Sequence, residues 1–493
     1  MTQLKLYPAE VIRTLDRRYV QEYDTSGLKL MGKAARSVLA FIESEMPNAE
    51  RAQVFCGSGN NAGDGFLIAA LLADRGWSVE VFVVGDSAKL GSDAAAAMNI
   101  CRDSPAMLTT RVDGREVEAL LIDSDALIVD ALLGLGVSGP VRPAYQSVIA
   151  AINSANARVI AVDVPSGLNP DTGVADVFCI RATATVTFIA RKIGLYSQDG
   201  SEVSGQIVFD DLGLPEPLIE HFDEAVVSTL VASPLPPRPN RSHKGHLGRV
   251  LIVGGNLGMG GAALLAAEAA LRSGAGLVSV VTRGDHLSGF LARCPELMVR
   301  AATDETDLKD AMDQASAIVI GPGLGQDDWA LNLFDQVMAS EKPLVIDADA
   351  LNLVSRFGLT HPRTVMTPHP LEAARLIGQE RVNEDRLGTL KALIHRYGSV
   401  AVLKGHGTLV GDGTRTALNR SGNPGMATAG MGDVLSGVIG SLIAQGFTLW
   451  DAATLGVAHH GSAADTAVSK TGEAGLLASD VVSGIGRSLA GLH

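Results

Sequence analysis

The chain has 493 residues, a formal net charge of −14 and 46% hydrophobic residues. That length exceeds what one core sustains, so two or more domains are expected. No basic block interrupts the acidic balance, which argues against nucleic acid or an anionic membrane as partner, since both are held by clustered Lys and Arg.

In chain order, Ala9–Tyr23 and Gly27–Glu45 carry helical apolar spacing. Short β-branched runs then alternate with helical patterns. Ala52–Cys56, Val79–Val84, Ala126–Asp130, Val159–Asp163, Ala184–Ile189 and Gln206–Phe209 predict buried strands. Ala62–Arg75, Asp93–Arg102, Arg115–Ile122 and Tyr145–Ser154 predict the helices between them. Such alternation implies parallel crossovers and a Rossmann-like, doubly wound α/β sheet.

The Pro-rich stretch around 230–246 predicts a semi-rigid junction between a domain over 1–222 and one over 226–493. Beyond it Arg249–Val253, Leu277–Thr282, Ala317–Ile320, Leu344–Asp347, Thr364–Thr367 and Val400–Lys404 predict strands. Met431–Gln445, Leu449–Val468 and Ala478–Leu489 predict a helical tail.

Cys56, Cys101, Cys179 and Cys294 have no paired spacing, so neither a zinc site nor a disulfide framework is expected. The charged first twenty residues do not read as a signal peptide, and the most apolar segment, Ala262–Thr282, is broken by Glu268 and Arg272. A cytoplasmic protein without a membrane span is expected.

Gly57-Ser58-Gly59-Asn60-Asn61-Ala62-Gly63-Asp64-Gly65 follows the first strand and opens a helix, where doubly wound sheets bind phosphates and nucleotides. Its amide oxygens suit sugars, amides or a monovalent cation. Asp130 with Gly134-Leu135-Gly136, and Asp163-Val164-Pro165-Ser166-Gly167, close two further strands. A crevice at the strand ends therefore collects Asn60, Asn61, Asp130, Asp163 and Ser166, although each Asp alone is an ordinary turn former.

These segments resemble the NAD(P)H-hydrate epimerase family, from about Ala9 to Ile219. That family interconverts R and S forms of NADHX and NADPHX, nicotinamide rings damaged by addition of water. By resemblance, Asn60, Asn61, Ala62, Gly63 and Asp64, with Gly134, Leu135, Gly136, Val137, Ser138, Gly139 and Pro140, would hold the substrate. Asn61, Asp130 and Ser166 would ligate potassium, and Asp163 would contact substrate and move the proton. Ala62 stands where the family usually has Gly, and Leu135 where it usually has Thr.

In the second half, Gly422-Asn423-Pro424-Gly425-Met426 leads through Gly430-Met431-Gly432-Asp433 into an apolar helix. Glycines and a helix N-terminus suit a phosphate. An Asp there repels a phosphate, and its natural task is to take a proton from a hydroxyl that then meets the phosphoryl group. An N-cap Asp is the bland alternative. Gly321–Gly325, Asp347-Ala348-Asp349, Thr367-Pro368-His369-Pro370 and Lys404-Gly405-His406-Gly407-Thr408 punctuate other strand ends. The pair His459-His460 reads as packing and surface.

A glycine loop ending in Asp before a late helix resembles the ribokinase-like superfamily. With Ser242-His243-Lys244-Gly245, Thr367-Pro368-His369-Pro370 and Asn423-Pro424-Gly425-Met426 it resembles the ADP-dependent NAD(P)H-hydrate dehydratases, from about Val226 onward. The order of halves is that of the bifunctional repair enzymes. By resemblance, Lys404, Gly405, His406, Gly407, Thr408 and Gly432 would bind the nucleotide, with magnesium accompanying ADP. Ala262, Gly323, His369 and Asp433 would touch the hydrated nucleotide. Asp433 would be catalytic, and a homotetramer is implied. Leu371 replaces a usual Gly and is expected to narrow the pocket beside His369. A small-molecule kinase, or a non-catalytic first half, are the alternative readings.

Overall fold

Runs of Val, Ile and Ala without polar alternation mark strands buried on both faces, and both sheets are built from them. The computed structural model describes every residue except 1, 24, 113–121, 137–138, 224–225, 303–304, 381–384 and 493. It divides into two compact units, Lys5–Val227 and Ser228–His493, the second joined by Met1–Leu4.

The first unit has a seven-stranded, all-parallel sheet. Its order is Met107–Val112, Ser78–Val84, Arg51–Cys56, Leu127–Ala131, Val159–Val162, Ala184–Phe188 and Gln206–Asp210. From Arg51–Cys56 the chain moves toward one edge, and from Leu127–Ala131 toward the other. Between these neighbours the strand order reverses, which leaves a crevice outside the strand C-termini. Helices cover both faces: Val54, Phe66 and Val129 pack on one side, and Phe55, Ile128 and Ile149 on the other. Phe66 is fully buried, so truncation to Ala removes about 3–5 kcal/mol. The helix expected over 115–122 lies almost wholly outside the described residues, as do Val137 and Ser138.

In the second unit the parallel strands run Met298–Ala301, Leu277–Thr282, Arg249–Val253, Ala317–Ile320, Leu344–Ile346, Thr364–Met366 and Val400–Leu403. Two antiparallel strands, Leu409–Gly411 and Thr416–Leu418, continue it. Here the order reverses between Arg249–Val253 and Ala317–Ile320. Helix Met431–Ala444 packs against helix Gly260–Arg272. Gly437 sets that approach, because a Cβ there would lie 2.1 Å from the Ala266 carbonyl oxygen. Residues 230–246 hold neither helix nor strand, and no described helix is long and apolar enough to cross a membrane.

Candidate active sites

A cavity of about 690 Å³ opens at the first switch point. Asn60, Asn61 and Asp64 line it from the glycine turn, Gly134, Leu135 and Gly136 from the facing loop, and Asp163 from the next strand end. Gly139 and Pro140 are outside this lining. Ala62 and Gly63 turn inward: Ala62 is fully buried, and a Cβ on Gly63 would meet the Met31 sulfur at 2.7 Å.

Strand Val159–Val162 ends one residue sooner than its sequence implies, because Asp163 adopts a φ of 68°. Asp tolerates that left-handed conformation better than most side chains. Asp163 Oδ1 accepts from the Phe188 N–H at 3.2 Å and the Thr187 hydroxyl at 3.3 Å, and pairs with Lys192 Nζ. Lys192 is fully buried and also donates to the Phe188 carbonyl at 2.8 Å. Burial pushes its pKa down against the opposing pull of Asp163. Sequence reasoning missed Lys192, since beside Arg191 it reads as a solvated basic pair.

Asn61, Asp130 and Ser166 come together around the Leu133 backbone. The Ser166 hydroxyl donates to Asp130 Oδ1 at 2.6 Å and accepts from the Leu133 N–H at 2.8 Å. Asn61 Nδ2 donates to the Leu133 carbonyl at 2.9 Å, and the Ser166 N–H to Asp130 Oδ2 at 2.8 Å. Asp130 is fully buried, and burial pushes its carboxyl up to about 6 against these hydrogen bonds.

The second site is a chain of close approaches. Gly323 lies against Ala262, a Cβ on it falling 3.2 Å from the Ala262 methyl. Gly321 abuts the Asp347 backbone, and Lys404 Nζ donates to Asp347 Oδ1 at 2.8 Å. Gly432 follows, with its would-be Cβ 3.1 Å from Lys404 Nζ. Asp433 stands in the first turn of helix Met431–Ala444, whose start is bent by Gly430 at φ 92°. A Cβ on Gly430 would strike Leu265 at 2.6 Å, so only glycine fits both the conformation and the space. Burial, then the charge of Asp347, pushes the Asp433 carboxyl up to about 7; Asp349 and Glu372 add to this and Lys404 opposes it. Lys404 is raised: burial works to lower it, and Asp347, Glu372 and Asp433 outweigh that.

His369 caps helix Pro370–Ile377. Gly405–Thr408 forms the turn after Val400–Leu403, where the Thr408 hydroxyl donates to the Gly405 carbonyl at 2.9 Å. Arg386 holds this turn from behind, donating to the carbonyls of Leu403 (3.1 Å), Lys404 (3.0 Å) and His406. Burial lowers its pKa to about 10. Sequence reasoning missed Arg386 too, because nothing local separates it from a surface arginine.

One expectation changes. His459 and His460 are both buried, neither at the surface. Helix Leu449–Thr471 is covered all round there, and His459 bonds the Ser488 hydroxyl and the Ser233 carbonyl, each at 2.9 Å. Leu371, beside His369, is 56% exposed, and its N–H donates to His369 Nδ1 at 3.1 Å.

Two switch-point sites, one with an Asp–Lys pair and an oxygen cluster, the other with an Asp on a glycine-bounded helix start, define a two-unit α/β enzyme with a ribokinase-like second half. Residues 250–487 match the family described as NAD(P)H-hydrate dehydratase, and 27–194 that described as YjeF-related protein N-terminus. The chain is 42% identical over 482 residues to the bifunctional NAD(P)H-hydrate repair enzyme of Coxiella burnetii, covering 97% of each. It is 40% identical over 491 residues to that of Escherichia coli, covering 97% of this chain and 93% of the other. A ribokinase-like superfamily protein from Enterococcus faecalis is 32% identical, with a TM-score of 0.50 over 52% of this chain and 92% of that one. The chain belongs to the bifunctional NAD(P)H-hydrate repair enzyme family. It is an enzyme with an epimerase half and a dehydratase half, which sets aside the kinase and the non-catalytic readings.

Proposed function

We propose that the cavity around Asp163 interconverts R- and S-NAD(P)HX, and that the site around Asp433 dehydrates the S form with ADP, releasing AMP and phosphate. The observation that carries this reading is Asp433, raised to about 7 and set on a helix start beside Lys404. Asp433 takes the proton of the added hydroxyl. That oxygen attacks the terminal phosphoryl group of ADP, the bond to AMP breaks, and the phosphorylated oxygen then leaves as phosphate while the ring sheds a proton. Helix N–H groups behind Gly430 and Gly432 steady the phosphoryl charge. Lys404, Gly405, His406, Gly407 and Thr408 hold the nucleotide, and Ala262, Gly323 and His369 bound the hydrated ring.

The Asn61, Asp130, Ser166 and Leu133 oxygens are hard ligands that fit potassium, which when bound supplies positive charge beside a buried carboxyl. Among the described residues no three His, Cys, Asp or Glu side chains cluster as metal ligands. A magnesium ion carried by the phosphates of ADP belongs to the proposed reading of the second site. A homotetramer and a cytoplasmic location belong to the same reading.

The test is recovery of reduced-nicotinamide absorbance from mixed R/S NADHX, with and without ADP, under potassium and magnesium. ADP-dependent recovery of both forms is expected, with Asp433→Asn giving none and Asp163→Asn leaving the R form to its spontaneous rate. No recovery by the wild-type protein with ADP or ATP overturns the reading.

A further inference from the structure

The family match to the first half begins at residue 27, yet the cavity has a wall that precedes it. Helix Ala9–Glu22 contributes Ile12, Arg13, Asp16, Arg17 and Val20 to the lining, one face at helical spacing. The opposite face buries Leu15 and Tyr19, fixing the helix against the unit's core. Three long-range bonds clamp it: the Ala9 N–H to Asp171 Oδ1 at 2.6 Å, Arg13 Nη1 to the Leu135 carbonyl at 2.7 Å, and the Tyr19 hydroxyl to the Gly213 carbonyl at 2.8 Å. The helix is thus a placed part of the site, tied by Arg13 to the loop proposed to hold substrate.

On this wall Asp16 stands apart. Its carboxyl has neither a hydrogen-bond nor an ion-pair partner among the described residues, although it is half-buried and lines the cavity. Asp163, by contrast, carries the Lys192 ammonium and two further donors. A half-buried, unpartnered carboxyl costs stability, so a cavity retaining one beside a charge-paired carboxylate has the makings of an acid and a base.

We propose that Asp16 is a second acid–base residue of the epimerase site, working with Asp163 on the two faces of the hydrated ring. This rests on the reading of that cavity as the epimerase site. Inversion needs the hydroxyl to leave one face and return to the other. The neutral Asp16 carboxyl gives its proton to the hydroxyl, the C–O bond breaks, water departs, and the ring nitrogen lone pair forms a C=N bond. Water then adds to the opposite face, its proton passing to Asp163, and the lone pair returns to nitrogen. The reverse reaction exchanges the two roles, and solvent exchange resets the protons. Burial, then the charge of Asp163, raises the Asp16 carboxyl, which keeps it protonated further toward neutrality.

The experiment follows separated R- and S-NADHX by chromatography without ADP, so that the dehydratase half is idle. Asp16→Asn is expected to lower kcat for epimerisation about 100-fold or more with KM within a few-fold. Asp16→Glu should recover part of the rate. The titratable and charged groups that share the cavity with Asp16 are Asp64, Asp93, Arg142, Tyr145, Asp163 and Lys192 from other elements and Arg13 and Arg17 on its own helix. Each is present in every variant, so a limb of the pH profile that disappears only in Asp16→Asn belongs to Asp16. ADP-dependent consumption of S-NADHX, unchanged in both variants, shows that the protein is folded. Asp16→Asn epimerising at the wild-type kcat, or losing only in KM, overturns the proposal alone. A wild-type protein that leaves R-NADHX at its spontaneous rate overturns the reading of the site and this proposal with it.

Discussion

His369 and Glu372 cap each other across one helical turn. The His369 N–H donates to Glu372 Oε2 at 2.8 Å, while His369 Nδ1 accepts from the N–H groups of Leu371 at 3.1 Å and Glu372 at 3.4 Å. An Nδ1 that accepts carries no proton, so the neutral ring holds its hydrogen on Nε2. Burial, then Lys404, lowers the His369 pKa in keeping with that form. The imidazole is a cap on one side and a donor on the other.

The two roles separate by substitution. His369→Ala is expected to cost about 1 kcal/mol of stability through the lost cap and to raise the KM for S-NADHX. His369→Asn keeps a capping side chain and should recover the stability but not the KM. Thermal melts and dehydratase kinetics check this; an Asn variant with wild-type KM would assign His369 to capping alone.

Asp433 must be ionised to accept a proton, so dehydratase kcat/KM should rise as pH climbs through about 7. Glu372 is also pushed up to about 7, mainly by burial, so the limb belongs to a coupled set. Asp349 raises Asp433, and Asp349→Asn should therefore move the limb to lower pH. A limb that stays in place counts against this electrostatic account. Because the folded pKa lies above the unfolded one, ionised Asp433 burdens the native state above that window. Asp433→Asn should then melt higher at pH 8, by on the order of 2 kcal/mol, while losing activity.

Lys192 balances three carboxyls: Asp163 directly, and Asp16 and Asp64 through their fields. Lys192→Met leaves them without that cation and is expected to destabilise the protein by about 3 kcal/mol. Any surviving epimerase activity should shift its acid limb upward. Chemical denaturation and an epimerase pH profile measure both; an unmoved profile would count against Lys192 as a charge felt by the carboxyls of this cavity.

His460 is buried, and burial brings its pKa down to about 4 from 6.5. A depressed folded pKa gives stability that is full above 6.5 and drains as pH falls toward 4. Across that range His460→Gln should lose less stability than the wild type, by up to about 3 kcal/mol, in denaturant titrations at stepped pH. Parallel curves would show that the ring does not titrate in this window.

Much of this architecture was legible because parallel strands buried on both faces write themselves as uniform β-branched runs. Glycines and carboxylates collect where those runs stop. The strand Met107–Val112 escaped because Thr109, Thr110 and Arg111 interrupt the apolar signal, as sheet edges do. Lys192 meets Asp163 across 29 residues, and Arg386 meets His406 across 20, so no local pattern announces either pairing. Asp16 was hidden differently: its helix reads as an ordinary amphipathic one, and only the fold shows which polar residues look inward. The histidine pair misled because a helix rich in Ala and Gly gives no contrast between its covered and open faces.

The left-handed turn at Asp163 governs how that residue can be interrogated. An alanine there would have to hold the same backbone without a side chain able to bond its own surroundings, at about 1–2 kcal/mol. Deleting the carboxylate with alanine would thus disturb the turn and also remove the acceptor of the Phe188 N–H and Lys192, and the assay would report both losses as one. Asparagine keeps the turn and removes the charge, a loss that buried Lys192 also feels. The reaction's proton chemistry can be read cleanly at this position only through substitutions that the backbone does not notice.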